Sequence, residues 1–566
     1  MEVVCVEKTS ETLNELEMII GGQTFGENSS YLVICKAYRY LCDNKLIDFI
    51  DENLLKTADE MCNRIPSVKV DKIDSIFKGL TIDDIRTIVY EILSGNKNDL
   101  IFFNDSSSDY ICELANDLLE INGKNDIVVD FCSGIGNFLA NVYKNAYNSK
   151  KALKGLIGIE ISTLRAHISQ MALFILCDGS LKPEVILGNA LDKTDLKYTK
   201  AYTFPPLGMK NVLFEKTRKS MLFPDYLFSN KNTCDWLFVD NMLKGLDDGR
   251  AIALVTSRAL TNDCDIEYRN KLISYHLLEG IIELPVGSLS FTGLKTYMLI
   301  FSRNNKQVKF LDASQLVSKD SKRYTNLELP VKAIEEMYNS SEVKTKTNEE
   351  LINKSNLCPS NVSVDVKSFD NGVKLNKIAD VFTGNQYTYG IFEKKKLITD
   401  ENTGYRILTS SDIENGIVQR ENLHSIIMND KKFDKFSVKY GDVIVTSKSS
   451  KVKTVVVDII PKEKILVTGG MLIVRPKNEK INPTYLKMFF DSKAGQAAFK
   501  SIQKGSIIVT ITASSLASIE VPMISIEKQN IKAEKYNEKL STLAAYKKEI
   551  EHIENSLNNL FEEEED

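Results

Sequence analysis

The sequence is poor in metal and redox chemistry. Its ten cysteines, among them Cys5, Cys35, Cys42, Cys132, Cys177 and Cys358, contain no paired C-x-x-C spacing, and its four histidines are scattered from His167 to His552. No metal site and no disulfide framework is therefore expected, and a reducing cytoplasm is the expected compartment. No apolar run approaches the ~18–20 residues that a membrane span needs, and the N-terminus lacks a basic-then-apolar signal pattern. A Gly-x-x-x-x-Gly-Lys-Ser/Thr loop is absent, as is a Glu-x-Lys nuclease pattern beside a strand in the first 100 residues, which excludes ATP-driven translocation and strand cleavage as intrinsic activities. The one tryptophan, Trp236, follows Cys234 and Asp235 at a helix start and reads as core. What is present is 566 residues, 43% hydrophobic and 26% charged, an ordinary globular composition with room for several cores.

The net charge of −5 hides an asymmetry. Residues 366–526 hold 24 Lys and Arg against 16 Asp and Glu, an excess of +8, whereas the tail from 527 holds 6 against 11. Positive charge gathered in one segment is the distribution expected where phosphates are met. Candidate phosphate contacts are Lys431, Lys432, Lys435, Lys448, Lys451 and Lys453, each of which reads equally as a solvated surface lysine.

Periodicity divides the chain. Residues 1–100 carry apolar residues at three- and four-residue intervals, as from Tyr31 to Leu41, and are expected to form a helical N-terminal domain. From 101 to 315, helical segments alternate with the β-rich runs Asp126–Phe131, Gly155–Ile159, Val185–Leu187, Arg250–Thr256, Leu278–Leu284 and Tyr297–Phe301, the signature of a mostly parallel α/β sheet. Residues 316–365, polar and broken by Pro330 and Pro359, read as a connector. Residues 366–524 hold short β-branched runs between turn residues and predict a β-rich α+β domain. From 525 the apolar positions Ile531, Tyr536, Leu540, Leu543, Tyr546, Ile550, Ile553, Leu557 and Leu560 predict one long amphipathic helix with an acidic tail to 566.

The chemistry lies in the α/β segment. Val128 to Asn137 reads as an apolar strand, a turn at Gly134 and Gly136, and a helix start; the next strand ends in Glu160. Glycines that turn the chain at one strand end, with a carboxylate at the next to accept from ribose hydroxyls, suit an adenosine ligand. The longer Gly-x-Gly-x-x-Gly of dinucleotide folds is absent.

In order and spacing, Asp130 to Phe138, Gly158 to Ile161, Gly188 to Leu191, the Pro205-Pro206 pair, Cys234 to Phe238, Gly249 to Val255, Leu284 to Ser288 and Thr292-Gly293 resemble the modification subunit of type I restriction-modification systems, which makes N6-methyladenine in DNA from S-adenosylmethionine. Glu349 to Leu351 and Leu357 to Asn361 are similar to the end of that subunit. The resemblance implies a Rossmann-like class I methyltransferase domain, S-adenosylmethionine as cofactor held by Asp130, Gly134, Gly136, Glu160 and Asn189, and double-stranded DNA as partner. Lys374 to Asp380, Ile407 to Ile413, Gly441 to Val445 and Ile508 to Pro522 resemble one target-recognition domain of the partner specificity subunit, and the final helix its spacer. A full specificity subunit has two of each. Pairing the helix face with a second copy in a homodimer, or with an active methyltransferase or defence effector, would complete a bipartite reader; folding back on its own chain is the alternative.

Departures from the family pattern concentrate in the catalytic loop. There the family reads Asn-Pro-Pro-aromatic: the amide and a backbone carbonyl accept the amino hydrogens of the flipped adenine and the ring stacks on it. This chain reads Phe204-Pro205-Pro206-Leu207. Phenylalanine has no acceptor, and losing a group that acts chiefly in the transition state costs ~10²–10³ in rate. Leucine lacks the π face that makes stacking worth ~1–3 kcal/mol. The Thr-Pro pair of the family, near the methionine end of the cofactor, is missing from Phe102–Ser108, and Asn189 stands where aspartate is common. Two readings follow: a catalytically degenerate methyltransferase retained for recognition and assembly, or an active adenine-N6 methyltransferase with a variant Pro-Pro loop.

Overall fold

The computed structural model describes residues 29–63, 67–94, 109–209, 218–289, 292–316, 329–364, 366–414, 416–428, 431–449, 452–458, 462–477, 479–504 and 509–559, with isolated positions at 12, 15, 16 and 19. Two compact units emerge, Met1–Ser360 and Asn361–Asp566.

The first unit is built on a nine-stranded sheet. Its strands are β1 (Ile127–Asp130), β2 (Gly155–Glu160), β3 (Glu184–Leu187), β4 (Tyr198–Thr203), β7 (Leu246–Thr256), β8 (Leu278–Glu283), β9 (Thr296–Phe301), β10 (Gln307–Asp312) and β11 (Lys344–Thr347); β5 (Arg218–Lys219) and β6 (Leu227–Phe228) form a separate small hairpin. The order across the sheet is β11-β10-β8-β9-β7-β4-β1-β2-β3. Pairing is parallel from β3 through β7 and between β8 and β10, and antiparallel where β9 and β11 enter. The mostly parallel α/β class expected from the alternation of elements is therefore observed. Strands β8 and β9 are buried along their whole length, as a sheet covered on both faces requires.

Helices Ser29–Asp43, Glu52–Cys62, Ser67–Lys78 and Ile82–Ser94 precede the sheet. Asp51 caps the second by accepting the N–H groups of Asn53 and Leu54 at 2.9 and 3.2 Å. In the fourth, Ile85, Ile88, Val89 and Ile92 recur at three and four residues and are buried. These faces do not form a core of their own: they share one apolar cluster with Leu139, Met171 and Leu173 from the helices that flank β1 and β2. Thr57 Oγ1 meets His167 Nδ1 at 2.7 Å across the same contact. The expected boundary at residue 100 is thus bridged by packing.

Within the expected connector, 316–365, the described residues 329–364 form more regular structure than their polarity suggests. Val331, Ile334 and Tyr338 form the buried side of the helix Val331–Asn339, and Tyr338 Oη donates to Glu279 Oε1 at 3.2 Å. Strand β11 reads Lys-Thr-Lys-Thr. An edge strand needs few apolar residues, which is why composition hid it.

In the second unit, Ala379–Thr383, Met471–Pro476, Val443–Thr446 and Thr454–Val456 form an antiparallel sheet, and Ile398–Thr399, Ser425–Ile426, Tyr405–Leu408 and Lys464–Val467 a mixed one, parallel between its last two strands. The final helix spans Ile526–Asn559. Its first turns lie on the helix Pro483–Asp491, where Gln529 accepts from the Asn482 N–H at 2.9 Å and Ala533 is buried. Farther along, Leu543, Tyr546, Ile550, Ile553 and Leu557 are exposed. Among the described residues no helix is long and apolar enough to cross a membrane.

The register between β4 and β7 shifts between Tyr198 and Lys200, opposite Gly249. A Cβ on Gly249 would lie 1.9 Å from the Thr199 carbonyl oxygen. A Gly249→Ala variant must push these strands apart and is expected to lose ~1–3 kcal/mol, read as a lower urea midpoint with unchanged m-value.

Candidate functional site

The chain passes from β1 outward to β2 and β3, then returns to lay β4 on the other side of β1. Beyond the carboxyl ends of β1 and β4 this reversal opens a crevice, the position where open α/β sheets bind ligands. A cavity of ≈ 340 Å³ lies there.

The loop leaving β1 is stitched to both neighbours. Phe131 N–H donates to the Tyr202 carbonyl of β4 at 2.9 Å, and Ser133 N–H to the Ile159 carbonyl of β2 at 3.0 Å. Gly134 (φ +53°) and Gly136 (φ +93°) then turn the chain through left-handed backbone into the helix Asn137–Asn148. A Cβ on Gly134 would meet nothing within 4 Å, so this turn faces open space.

Glu160 closes β2 with both oxygens engaged: Oε2 accepts from Gly134 N–H at 3.0 Å and Oε1 from Ser162 N–H at 2.8 Å. A carboxylate has about four lone-pair positions, so roughly two remain for hydroxyl donors. Asp130 Oδ1 accepts from Cys132 N–H at 3.1 Å. Burial, opposed by that hydrogen bond and assisted by the nearby Glu160 charge, pushes the Asp130 carboxyl up to about 7. Burial likewise pushes the Cys132 thiol above its ordinary value, which favours the neutral thiol. Asn189 Oδ1 accepts from Leu191 N–H at 2.9 Å, an Asx turn that shapes the loop after β3.

Strand β4 delivers the Pro-Pro loop directly into the cavity. Phe204 and Leu207 are half-buried, line it and pack against the apolar core; Pro205 is buried and Pro206 exposed. The Pro206 carbonyl accepts from Met209 N–H at 3.3 Å, closing a tight turn through Gly208 (φ +66°). With Tyr202, Met209 and Phe238 these side chains make one end of the cavity apolar.

Asp130, Gly134, Glu160, Asn189 and Phe204 to Leu207 are therefore brought together, with Gly136 at the helix start just behind them. The donor and acceptor set suits the sugar end of an adenosine cofactor: Glu160 for hydroxyls, the open turn at Gly134, and the exposed Ile161 as an apolar surface. Sequence reasoning missed Tyr31, Arg165, Met209 and Phe238, which also line the cavity. Arg165 sits five residues beyond Glu160 in the first turn of the next helix, a signal that spacing offers. Tyr31 arrives from the first described helix, and nothing local marks it. The Phe102–Ser108 stretch lies outside the described residues. No group of His, Cys, Asp and Glu able to hold a metal occurs among the described residues.

The six candidate lysines are dispersed. Lys431, Lys432 and Lys435 are exposed on the 3-10 segment Lys431–Phe436. Lys448 is exposed just beyond Val443–Thr446, and Lys451 lies outside the described residues. Lys453 Nζ donates to the carbonyls of Ser410 at 3.2 Å and Ile413 at 2.9 Å, so its ammonium is largely spent on the fold.

The raised Asp130 carboxyl generates a pH test. The folded state holds a proton that the unfolded chain releases, so this group's contribution to stability is full below its ordinary value of 3.8 and is lost as pH rises through about 7. Asp130→Asn should flatten that part of the decline, measured by urea unfolding from pH 5 to pH 8.

No curated protein matches the chain. Among solved structures it is similar to a chain from a type I restriction-modification system complex (13% identity, 62% of this chain and 89% of that one, TM-score 0.49). It is also similar to the type I restriction-modification methyltransferase subunit from Streptococcus thermophilus (16%, 56% and 71%, 0.43) and to the type IIG restriction endonuclease BpuSI (11%, 94% and 75%, 0.40). It is the part holding the sheet and its cavity, residues 108–380, that matches the model of the N-6 DNA Methylase family.

Proposed function

We propose that the protein is a DNA-recognition and assembly component of a restriction-modification or related defence system, built on an adenine-N6 methyltransferase scaffold whose catalytic loop no longer supports efficient methyl transfer. The observation that carries this reading is the apolar end of the cavity. Phe204 and Leu207 occupy the two positions where the family places an acceptor and a stacking ring, and both pack against the core. An exocyclic amine brought there finds no side-chain acceptor from either. Loss of both the orienting hydrogen bond and the stacking surface strikes the same step.

The other end supports retention of S-adenosylmethionine. That cofactor, when bound, supplies an electrophilic methyl group on sulfur. Glu160 would accept from its ribose hydroxyls, and the Gly134 turn would admit its backbone-hugging chain. Asn189 would meet the base edge with a neutral amide rather than a charge.

For the second unit, the +8 excess confined to residues 366–526 and the β-rich architecture support DNA contact. The exposed stripe on the final helix supports association. Its members Leu543, Tyr546, Ile550, Ile553 and Leu557 alternate at three and four residues, a seam that an antiparallel second copy would cover.

With tritiated S-adenosylmethionine and mixed-sequence duplex DNA, transfer by the unaltered protein should lie at least ~10²-fold below that of a Phe204→Asn, Leu207→Phe double variant. Robust transfer by the unaltered protein would instead establish an active enzyme with a variant loop. In sedimentation velocity, the unaltered protein should run as a dimer and Ile550→Lys with Leu557→Lys as a monomer.

A further inference from the structure

We infer that the phosphate-contacting face of the second unit is a lysine cluster gathered around Tyr387, which meets the backbone of double-stranded DNA. This rests on the reading that the second unit binds DNA and names the surface that does so.

Two distant stretches of chain build the cluster. The helix Tyr389–Lys394 runs out into Lys394, Lys395 and Lys396, all exposed. The 3-10 segment Lys431–Phe436 supplies Lys431, Lys432 and Lys435. Aromatic rings join them: Tyr387 packs against Phe392 at 5.5 Å and against Phe433 at 5.6 Å between ring centroids. Lys395 Nζ donates to Tyr387 Oη at 2.8 Å and lies 4.3 Å from the ring centre. Lys432 lies 5.5 Å from the Phe433 ring centre, and Lys435 4.9 Å from that of Phe436.

The Tyr387 phenol is held below its ordinary value, chiefly by the Lys395 hydrogen bond and charge, with Lys432 adding to it. Two ammonium groups from different stretches therefore bear on one half-buried phenol. Of the acids close by, Asp434 is occupied by Lys464 at 2.6 Å and by Tyr405 Oη at 2.9 Å, while Glu393 is exposed on the helix itself. Lysines held on rigid rings lose less side-chain entropy on meeting a phosphate than lysines on a bare loop. Basic groups interleaved with half-buried rings favour nucleic acid over an acidic polypeptide, since the rings can also pack against backbone sugars.

The test uses the full chain and a fluorescein-labelled mixed-sequence duplex, with binding followed by anisotropy over a range of KCl. Lys395→Gln with Lys432→Gln should weaken binding and reduce the slope of log K against log salt by about 2, close to one for each phosphate no longer neutralised. Lys528→Gln with Lys532→Gln, an equal charge change on the final helix, should leave the slope in place. If the first pair leaves affinity and slope unchanged while the unaltered protein binds, the assigned face is wrong and DNA recognition stands. If the unaltered chain does not bind at low salt, both readings fall. Lysine acetylation read by mass spectrometry tests the unaltered protein independently of how the variants fold. Duplex should shield Lys395 and Lys432 relative to Lys528. Equal labelling with and without duplex, or shielding by polyglutamate alone, overturns the assignment.

Discussion

The cavity depends on where the backbone goes immediately after β1. Two N–H groups on that short stretch are committed in opposite directions, Phe131 to β4 and Ser133 to β2, so the loop cannot drift toward either strand without orphaning a buried donor. Such a loss costs about 1–3 kcal/mol for each group. The same stitching fixes Gly134 against Glu160 and aims the helix Asn137–Asn148. Position within the cavity is thus set by backbone hydrogen bonds between strands, and side-chain chemistry is free to vary on top of them.

On the proposed reading, that freedom is what lets a catalytic loop change while its shape persists. A half-buried amide needs a partner when no substrate is present, and a buried polar group left unpaired is expensive. Phenylalanine and leucine carry no such requirement and add apolar contact with the core. Replacing working polar groups by apolar ones commonly stabilises a fold at the expense of its activity. The turn itself rests on the proline pair, on Gly208 and on the Met209 N–H bond to the Pro206 carbonyl, none of which depends on the side chains at 204 and 207.

The sequence made the first two strand ends legible because Val128, Val129 and Ile157 to Ile159 are apolar and end in turn or acidic residues. It hid β4, the strand that presents Phe204. There Tyr198, Lys200 and Tyr202 carry polar atoms yet are buried. Lys200 shows why: its ammonium reaches the Leu119 carbonyl at 2.6 Å while its stem lies inside. Helix Val331–Asn339 was hidden for a related reason, since only a few of its residues face inward. The cavity positions marked by local motifs came together as a group, whereas Tyr31 was invisible. It reaches the site through packing of the first described helix, a contact no local pattern records.

Strand β11 has a further consequence. Among the described residues it ends one side of the nine-stranded sheet, and a sheet border is a template for another chain. Lys344 and Lys346 stand on that border, half-buried, and Lys346 is held by Glu350 at 3.0 Å. A second sheet approaching this border would have to strip water from those ammonium groups and bring like charges together. The strand that looks least like part of a sheet therefore protects the sheet from growing.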